Sequence, residues 1–178
     1  FKGKNVVVLF FPAANTGACT TEMCTFRDEL KEYENLNAQV LGISVDTHFA
    51  LKMFHEKNNY NFPLLSDFNK KVIKDYDVVL DVFVPGKFDY LNTAKRAAFV
   101  VDANQNIKYF EVLANPGNQP DFEAIKKALS LAETGDIILI TGKGSEQGMC
   151  VANGEIIPWD DRAVVRGLLQ NRKKGNIK

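Results

Sequence analysis

Two of the three cysteines in this 178-residue chain, Cys19 and Cys24, lie close together just after a strand-like run that ends at Pro12. The arrangement Pro12-x-x-x-Thr16-x-x-Cys19 puts a thiol at the start of a helix-like segment. Unpaired backbone N–H groups and the positive end of the helix dipole gather at such a start, and both favour a thiolate over a thiol. The thiolate is the nucleophilic form, so the chemistry on offer is attack on an electrophile that leaves the sulfur oxidised or covalently bound. The Thr16 hydroxyl can hydrogen-bond both the sulfur and an incoming oxygen, and Pro12 would cover the sulfur from one side. If the electrophile is a peroxide, negative charge passes from sulfur to the leaving oxygen as the O–O bond breaks, and a cation there stabilises the shift. Arg96, immediately before a strand-like run, is the candidate cation. Glu22, one turn into the helix, can hold its guanidinium through a charge-assisted hydrogen bond.

Spacing alone leaves other readings open. Free cysteine is often a buried apolar residue, and both thiols could fill helix-facing core positions. Zinc held by Cys19, Cys24, His48 and His55 is a third reading, disfavoured by the four-residue gap between the cysteines and by histidines on a helical face. Cys150 stands alone.

The elements that must position these residues follow from hydrophobic patterning. Lys4–Phe11 (KNVVVLFF) is a β-branched and aromatic run, as expected of a strand covered on both faces. Over residues 20–35 and just beyond, Met23, Phe26, Leu30, Tyr33 and Leu36 recur at three- and four-residue steps, which predicts one amphipathic helix. Residues 39–45 form a second buried strand, and a helix near His48–Asn58 offers Phe49, Leu51, Met53 and Phe54 as apolar positions. Residues 62–65 are a short apolar stretch, 70–76 a short helix, and 78–91 are read as irregular around the Pro85-Gly86 turn. Strands at 97–101 and 107–112, joined by a polar turn, make a hairpin, and a helix at 122–129 closes the unit. Parallel strands, an antiparallel hairpin and a closing helix suit a thioredoxin-like α/β sandwich.

Composition narrows the partners. Lys plus Arg and Asp plus Glu both number 22, so no net field draws the chain to nucleic acid or an anionic membrane. The apolar run Val6–Phe11 is far shorter than the roughly 20 residues that cross a bilayer, and shorter than a signal peptide's apolar region. A cytoplasmic protein is expected. There, a close cysteine pair suggests redox or metal chemistry before structural bridging.

The stretch FFPAANTGACTTEMCTFRDEL (Phe10–Leu30) resembles the active-site segment of peroxiredoxins, closest to the bacterioferritin-comigratory or PrxQ branch. GISVD (Gly42–Asp46), FPLLSD (Phe62–Asp67) and KRAAFVVD (Lys95–Asp102) extend the resemblance over residues 1–131. It implies a thioredoxin-like fold and thiol-dependent reduction of hydrogen peroxide or small hydroperoxides, without cofactor or metal. It further implies Cys19 as the peroxidatic cysteine, completed by Pro12, Thr16 and Arg96 with Glu22 in support, and Cys24 as the resolving cysteine. A thioredoxin-like dithiol would be the reductant, and a homodimer is admitted. Residues five apart in an intact helix rise roughly 7.5 Å along the axis, beyond the roughly 7 Å Cα separation that a disulfide closes, so the helix would have to unwind locally.

Near residue 131 the pattern restarts, with a strand at 136–140, a glycine-rich turn at 141–144, a hairpin turn at Asn153-Gly154 and a last helix from Asp160 or Asp161 through Leu169. GDIILITGKGSEQG and NGEIIPWDDRAVVRGLL resemble the C-terminal domain of Mur ligases, in which the GKG-x-E loop, here Gly142–Glu146, helps bind an amino acid. The ligase ATP-binding domain and its arginine-bearing recognition motif have no counterpart here, so ligase activity is not expected, and the loop lacks Walker A spacing. Residues 1–131 and 132–178 therefore read as two segments, the second packed on the first. The chain starts without the N-terminal hairpin usual in peroxiredoxins, which makes it read as a chimera. An inactive chimera that keeps the site residues, and a general thiol–disulfide exchanger, are the competing functions; C-x4-C in place of C-x-x-C argues against the exchanger.

Overall fold

The computed structural model describes residues 1, 3–131, 148–150 and 156–158. The chain divides into two compact units, Phe1–Leu139 and Ile140–Lys178. In chain order the first contains β1 (Asn5–Phe10), α1 (Gly17–Asp28), α2 (Leu30–Asn35), β2 (Ala38–Ser44), α3 (His48–Asn58), β3 (Leu64–Ser66) and α4 (Val72–Asp75). There follow β4 (Val79–Phe83), β5 (Tyr90–Ala94), β6 (Ala97–Val101), β7 (Ile107–Val112) and α5 (Phe122–Leu131).

One five-stranded sheet, ordered β3-β2-β1-β6-β7, carries the unit. β1 pairs parallel with β2, β2 parallel with β3, and β6 runs antiparallel to both β1 and β7. This mixed sheet with helices packed on it is thioredoxin-like. As the central strand, β1 buries side chains on both faces, and its run is apolar without alternation for that reason. Val8 and Phe10 join one core with Ile73, Val78 and Phe99. Phe10 lies 5.1 Å from Tyr76 and 5.8 Å from Phe99, ring centre to ring centre. Phe11 points the other way, towards Phe54 at 6.2 Å. Parallel β1 and β2 need a crossover, and α1 with α2 supplies it.

The single helix expected over residues 20–35 is two helices. The backbone at Glu29 (φ −97°, ψ 7°) leaves the helical range between α1 and α2. The apolar period runs through this break because both helices face the same core, where Phe26 and Tyr33 meet at 5.1 Å. In α3, Leu51 and Phe54 are buried as expected, but Phe49 and Met53 are each 69% exposed. Residues 78–91 are not irregular: β4 and β5 pair antiparallel in a separate two-stranded sheet. Its connection is long and its outward side apolar, so no alternating pattern marks its strands, and Pro85-Gly86 within the connection reads as a loop turn and not as a tight two-residue hairpin turn.

At the turn of that hairpin, the Val84 carbonyl accepts the N–H groups of Lys87, Phe88 and Asp89 at 3.1–3.2 Å. Val84 itself sits at φ 55°, the left-handed region that a β-branched residue tolerates poorly. Val84→Asn is expected to raise the unfolding free energy by about 0.5–1 kcal/mol, since asparagine occupies that region at lower cost. Chemical denaturation checks it, and a loss of stability would show that burial of the valine outweighs the strain.

In the second unit, β8 (Gly148–Cys150) and β9 (Ile156–Pro158) pair antiparallel, with Met149 opposite Ile157. The expected hairpin turn at Asn153-Gly154, strand 136–140, Gly142–Glu146 loop and final helix lie outside the described residues, and so does the expected packing of this segment. Among the described residues, no helix is long and apolar enough to cross a membrane.

Candidate active site

The site forms where β1 ends. Phe11 N–H donates to the Ile43 carbonyl at 3.1 Å, one rung beyond the strand, and buried Pro12 then stops the ladder. The next loop turns through Asn15 at φ 62° and is anchored to the end of β2, where the Asp46 carboxylate accepts Ala14 N–H at 2.8 Å and the Ser44 hydroxyl at 2.7 Å. Thr16, with extended backbone, caps α1, and its carbonyl accepts Thr20 N–H at 2.9 Å. Cys19 is the third residue of the helix and fully buried.

Register brings in the arginine. Phe10 pairs with Ala97 across β1 and β6, so Arg96, one residue earlier, is level with the end of β1. Its Nη2 donates to the Cys19 sulfur at 3.4 Å and its Nη1 to the Glu22 carboxylate. Nε and Nη2 also donate to the Pro116 carbonyl, at 3.0 and 2.7 Å. Cys19, Glu22 and Arg96 have no exposed surface. The same 113–121 loop sends Gln119 Nε2 to the Ala18 carbonyl at 3.0 Å.

Cys19, Glu22 and Arg96 thus meet directly, and Pro12 and Thr16 lie in the segment that leads to them. The Thr16 hydroxyl does not bond the sulfur. It folds back to donate to the Ala13 carbonyl at 2.9 Å, which leaves its oxygen free as an acceptor. Cys24 is half-buried, and its Sγ faces the Tyr60 hydroxyl at 4.0 Å. Both cysteines are free thiols within an intact α1. The histidines are engaged elsewhere, His48 against Phe49 and His55 against Tyr60. Among the described residues, no three His, Cys, Asp or Glu side chains gather as metal ligands.

Burial pushes the Glu22 carboxyl up to about 7 against the pull of Arg96, and nearby Glu111 adds to the rise. One of its oxygens is buried with no hydrogen-bond partner among the described residues. Burial works against the Arg96 charge too, but Glu22 and Cys19 more than offset it and hold the guanidinium above its ordinary range. Burial, then Cys24, raises the Tyr60 phenol.

A carboxyl whose folded value lies near 7, against 4.5 ordinarily, binds its proton more tightly in the folded state. The stability this contributes is whole below pH 4.5 and is lost as pH rises through about 7. Unfolding free energy is therefore expected to fall across that window by roughly 3 kcal/mol at most, and Glu22→Gln to flatten the fall. Denaturation at several pH values checks this; a wild-type profile unchanged by the substitution would remove Glu22 as the cause.

Sequence reasoning did not single out Asp46, Pro116, Gln119 or Tyr60. Asp46 closes the GISVD match, so an acidic residue at a strand end beside the loop was a usable signal. Pro116 acts through its backbone carbonyl, which residue type does not reveal.

A buried cysteine at a helix start, paired to an arginine on a thioredoxin-like sheet, defines a cysteine-centred domain of recognisable class. Residues 1–110 match the AhpC/TSA family, and the chain belongs to that family, the peroxiredoxins. It is 40% identical over 107 residues to chloroplastic peroxiredoxin Q of Suaeda salsa, covering 59% of this chain and 50% of that protein. To a mitochondrial thioredoxin-dependent peroxide reductase of Drosophila melanogaster it is 33% identical over 119 residues, covering 63% of this chain and 47% of the other. The crystal structure of peroxidoxin BcpB from Mycobacterium tuberculosis superposes with a TM-score of 0.59 at 33% identity, covering 72% of this chain and 77% of that one. The chain spans about half the length of the curated relatives it matches.

Proposed function

We propose that the chain reduces hydrogen peroxide and small organic hydroperoxides through Cys19. The observation that carries this is the buried Arg96, which donates to the Cys19 sulfur and to Glu22 at once. The Cys19 thiolate attacks one peroxide oxygen, an S–O bond forms, the O–O bond breaks, and the leaving oxygen departs protonated as water or alcohol. Arg96 meets the negative charge at the start of this step and is placed to follow it towards the leaving oxygen. Cys24 then attacks the Cys19 sulfenic acid, water leaves, and the resulting disulfide is reduced by an external dithiol. Similarity to the thioredoxin-dependent peroxide reductase of Drosophila melanogaster supports a thioredoxin-like dithiol in that role.

Helix α1 is suited to the unwinding this requires. Thr20, Thr21 and Thr25 each turn a hydroxyl back to the carbonyl four residues earlier, at 2.8, 3.2 and 3.0 Å, a habit that weakens and bends helices. A reducing compartment such as the cytoplasm is proposed, which rests on the close cysteine pair read as redox-active and not as a structural bridge. Residues 132–178 are proposed to be a Mur-ligase-like appendage without ligase activity, which rests on their motifs.

Dithiol-driven peroxide consumption, measured for the wild type and Cys19→Ser, tests the function. Loss of about 10³-fold or more in the variant is expected. Disulfide reduction without peroxide consumption would make the protein an exchanger instead, and neither activity would leave an inactive chimera.

A further inference from the structure

The loop between β7 and α5 touches the site twice, and neither contact is needed to hold the loop's own turn. That turn is closed locally: the Asn115 side chain accepts Gly117 N–H at 2.8 Å, and its carbonyl accepts Asn118 N–H at 3.1 Å. Pro116 meanwhile takes two N–H groups of Arg96, and Gln119 reaches a backbone carbonyl next to Cys19. From these contacts we infer that Gln119 is a positioning residue, an amide clamp on the first turn of α1 whose release times the step from Cys19 sulfenic acid to the Cys19–Cys24 disulfide. The inference deepens the peroxidase reading above and rests on it for its chemical consequence.

The argument is one of placement. Ala18 directly precedes Cys19, so its carbonyl belongs to the turn that must open before the two sulfurs can join. A second donor on that carbonyl, from outside the helix, holds the turn closed. The clamp is also weak. The Gln119 amide oxygen is buried with no partner among the described residues, so its desolvation offsets part of what the N–H bond contributes. A weak clamp on a threonine-rich helix keeps Cys19 against Arg96 while peroxide reacts, and still lets go afterwards.

The closed turn sets a competition. While it persists, Cys19–SOH can meet a second peroxide, gain another oxygen as sulfinic acid and release water or alcohol. Once it opens, the Cys24 thiolate displaces hydroxide, which leaves as water, and the disulfide forms. Loosening the clamp shifts the partition towards the disulfide.

Gln119→Met keeps the length of the side chain and removes its N–H donors. Hydrogen exchange of the reduced protein is expected to quicken about fivefold at the amides of residues 19–23, with the β7 amides unchanged. Unchanged exchange at 19–23 overturns the inference, and so does a rise shared by β7, which would make Gln119 a general stabiliser. In single turnover with hydrogen peroxide, the variant is expected to form the disulfide about fivefold faster and to accumulate correspondingly less Cys19 sulfinic acid by mass spectrometry. Disulfide formation at the wild-type rate or slower also overturns it. A wild type that forms no Cys19 sulfenic acid would sink the peroxidase reading, and exchange would still decide the clamp.

Discussion

Arg96→Lys is expected to slow the reaction of Cys19 with peroxide by about 10²-fold or more, although the positive charge is kept. The guanidinium spreads its donors over the Cys19 sulfur, the Glu22 carboxylate and the Pro116 carbonyl. A lysine offers three donors from one point on a flexible stem and cannot reach all three partners together. The charge would settle on the Glu22 carboxylate, which Arg96 engages in an ion pair, and the sulfur would lose its donor. Arg96→Met goes further and leaves Glu22 buried without a cation, a loss of about 3–5 kcal/mol where the carboxyl is ionised. Because burial already pushes Glu22 up to about 7, that loss should shrink below neutral pH, where the carboxyl takes a proton instead. Stopped-flow mixing with peroxide and denaturation at two pH values read both effects. A lysine variant within threefold of wild type would mean that charge alone, and not the forked geometry, serves the sulfur.

Phe26→Ala is expected to destabilise the first unit by about 3–5 kcal/mol. Phe26 is fully buried, and its ring lies 5.1 Å from Tyr33 and 5.2 Å from Phe122, so one side chain ties α1 to both α2 and α5. Few residues nearby can fill the gap, since the helices that line it are fixed by other contacts to the sheet. Equilibrium denaturation measures the change; a loss under about 1 kcal/mol would show that α1 is held by its loop and by Arg96 instead.

What could be read from the sequence was what one element states about itself. The unbroken apolar run of β1 announces a central strand, and β6 and β7 announce themselves as two short strand-like runs joined by a polar turn. Cys19, Arg96 and Glu22 were legible because the proposed chemistry demands a thiolate, a cation and a counter-charge. The hairpin of β4 and β5 was not legible, because its long turn is closed by the Val84 carbonyl and it exposes Tyr90 and Leu91 where a half-buried strand would be polar. The break at Glu29 was hidden by an apolar period that continues across it. The resting partner of the Thr16 hydroxyl, the Ala13 carbonyl in place of the sulfur, was not legible, since an N-cap hydroxyl has backbone carbonyls within closer reach. Gln119 carried no signal at all: its bond spans 101 residues and ends on a main-chain oxygen.

Glycine, three threonines and two cysteines in its 12 residues make α1 a poor helix by intrinsic preference. A peptide of that sequence alone in water is expected to be coil. The positive helix end and the alignment of Cys19 with Arg96 are therefore properties lent to the segment by Met23, Phe26 and the partners they pack on. Reactivity and foldedness at this site are one quantity: any condition that undocks the helix disarms the cysteine, and the thiol regains its special character only when the surrounding unit closes over it again.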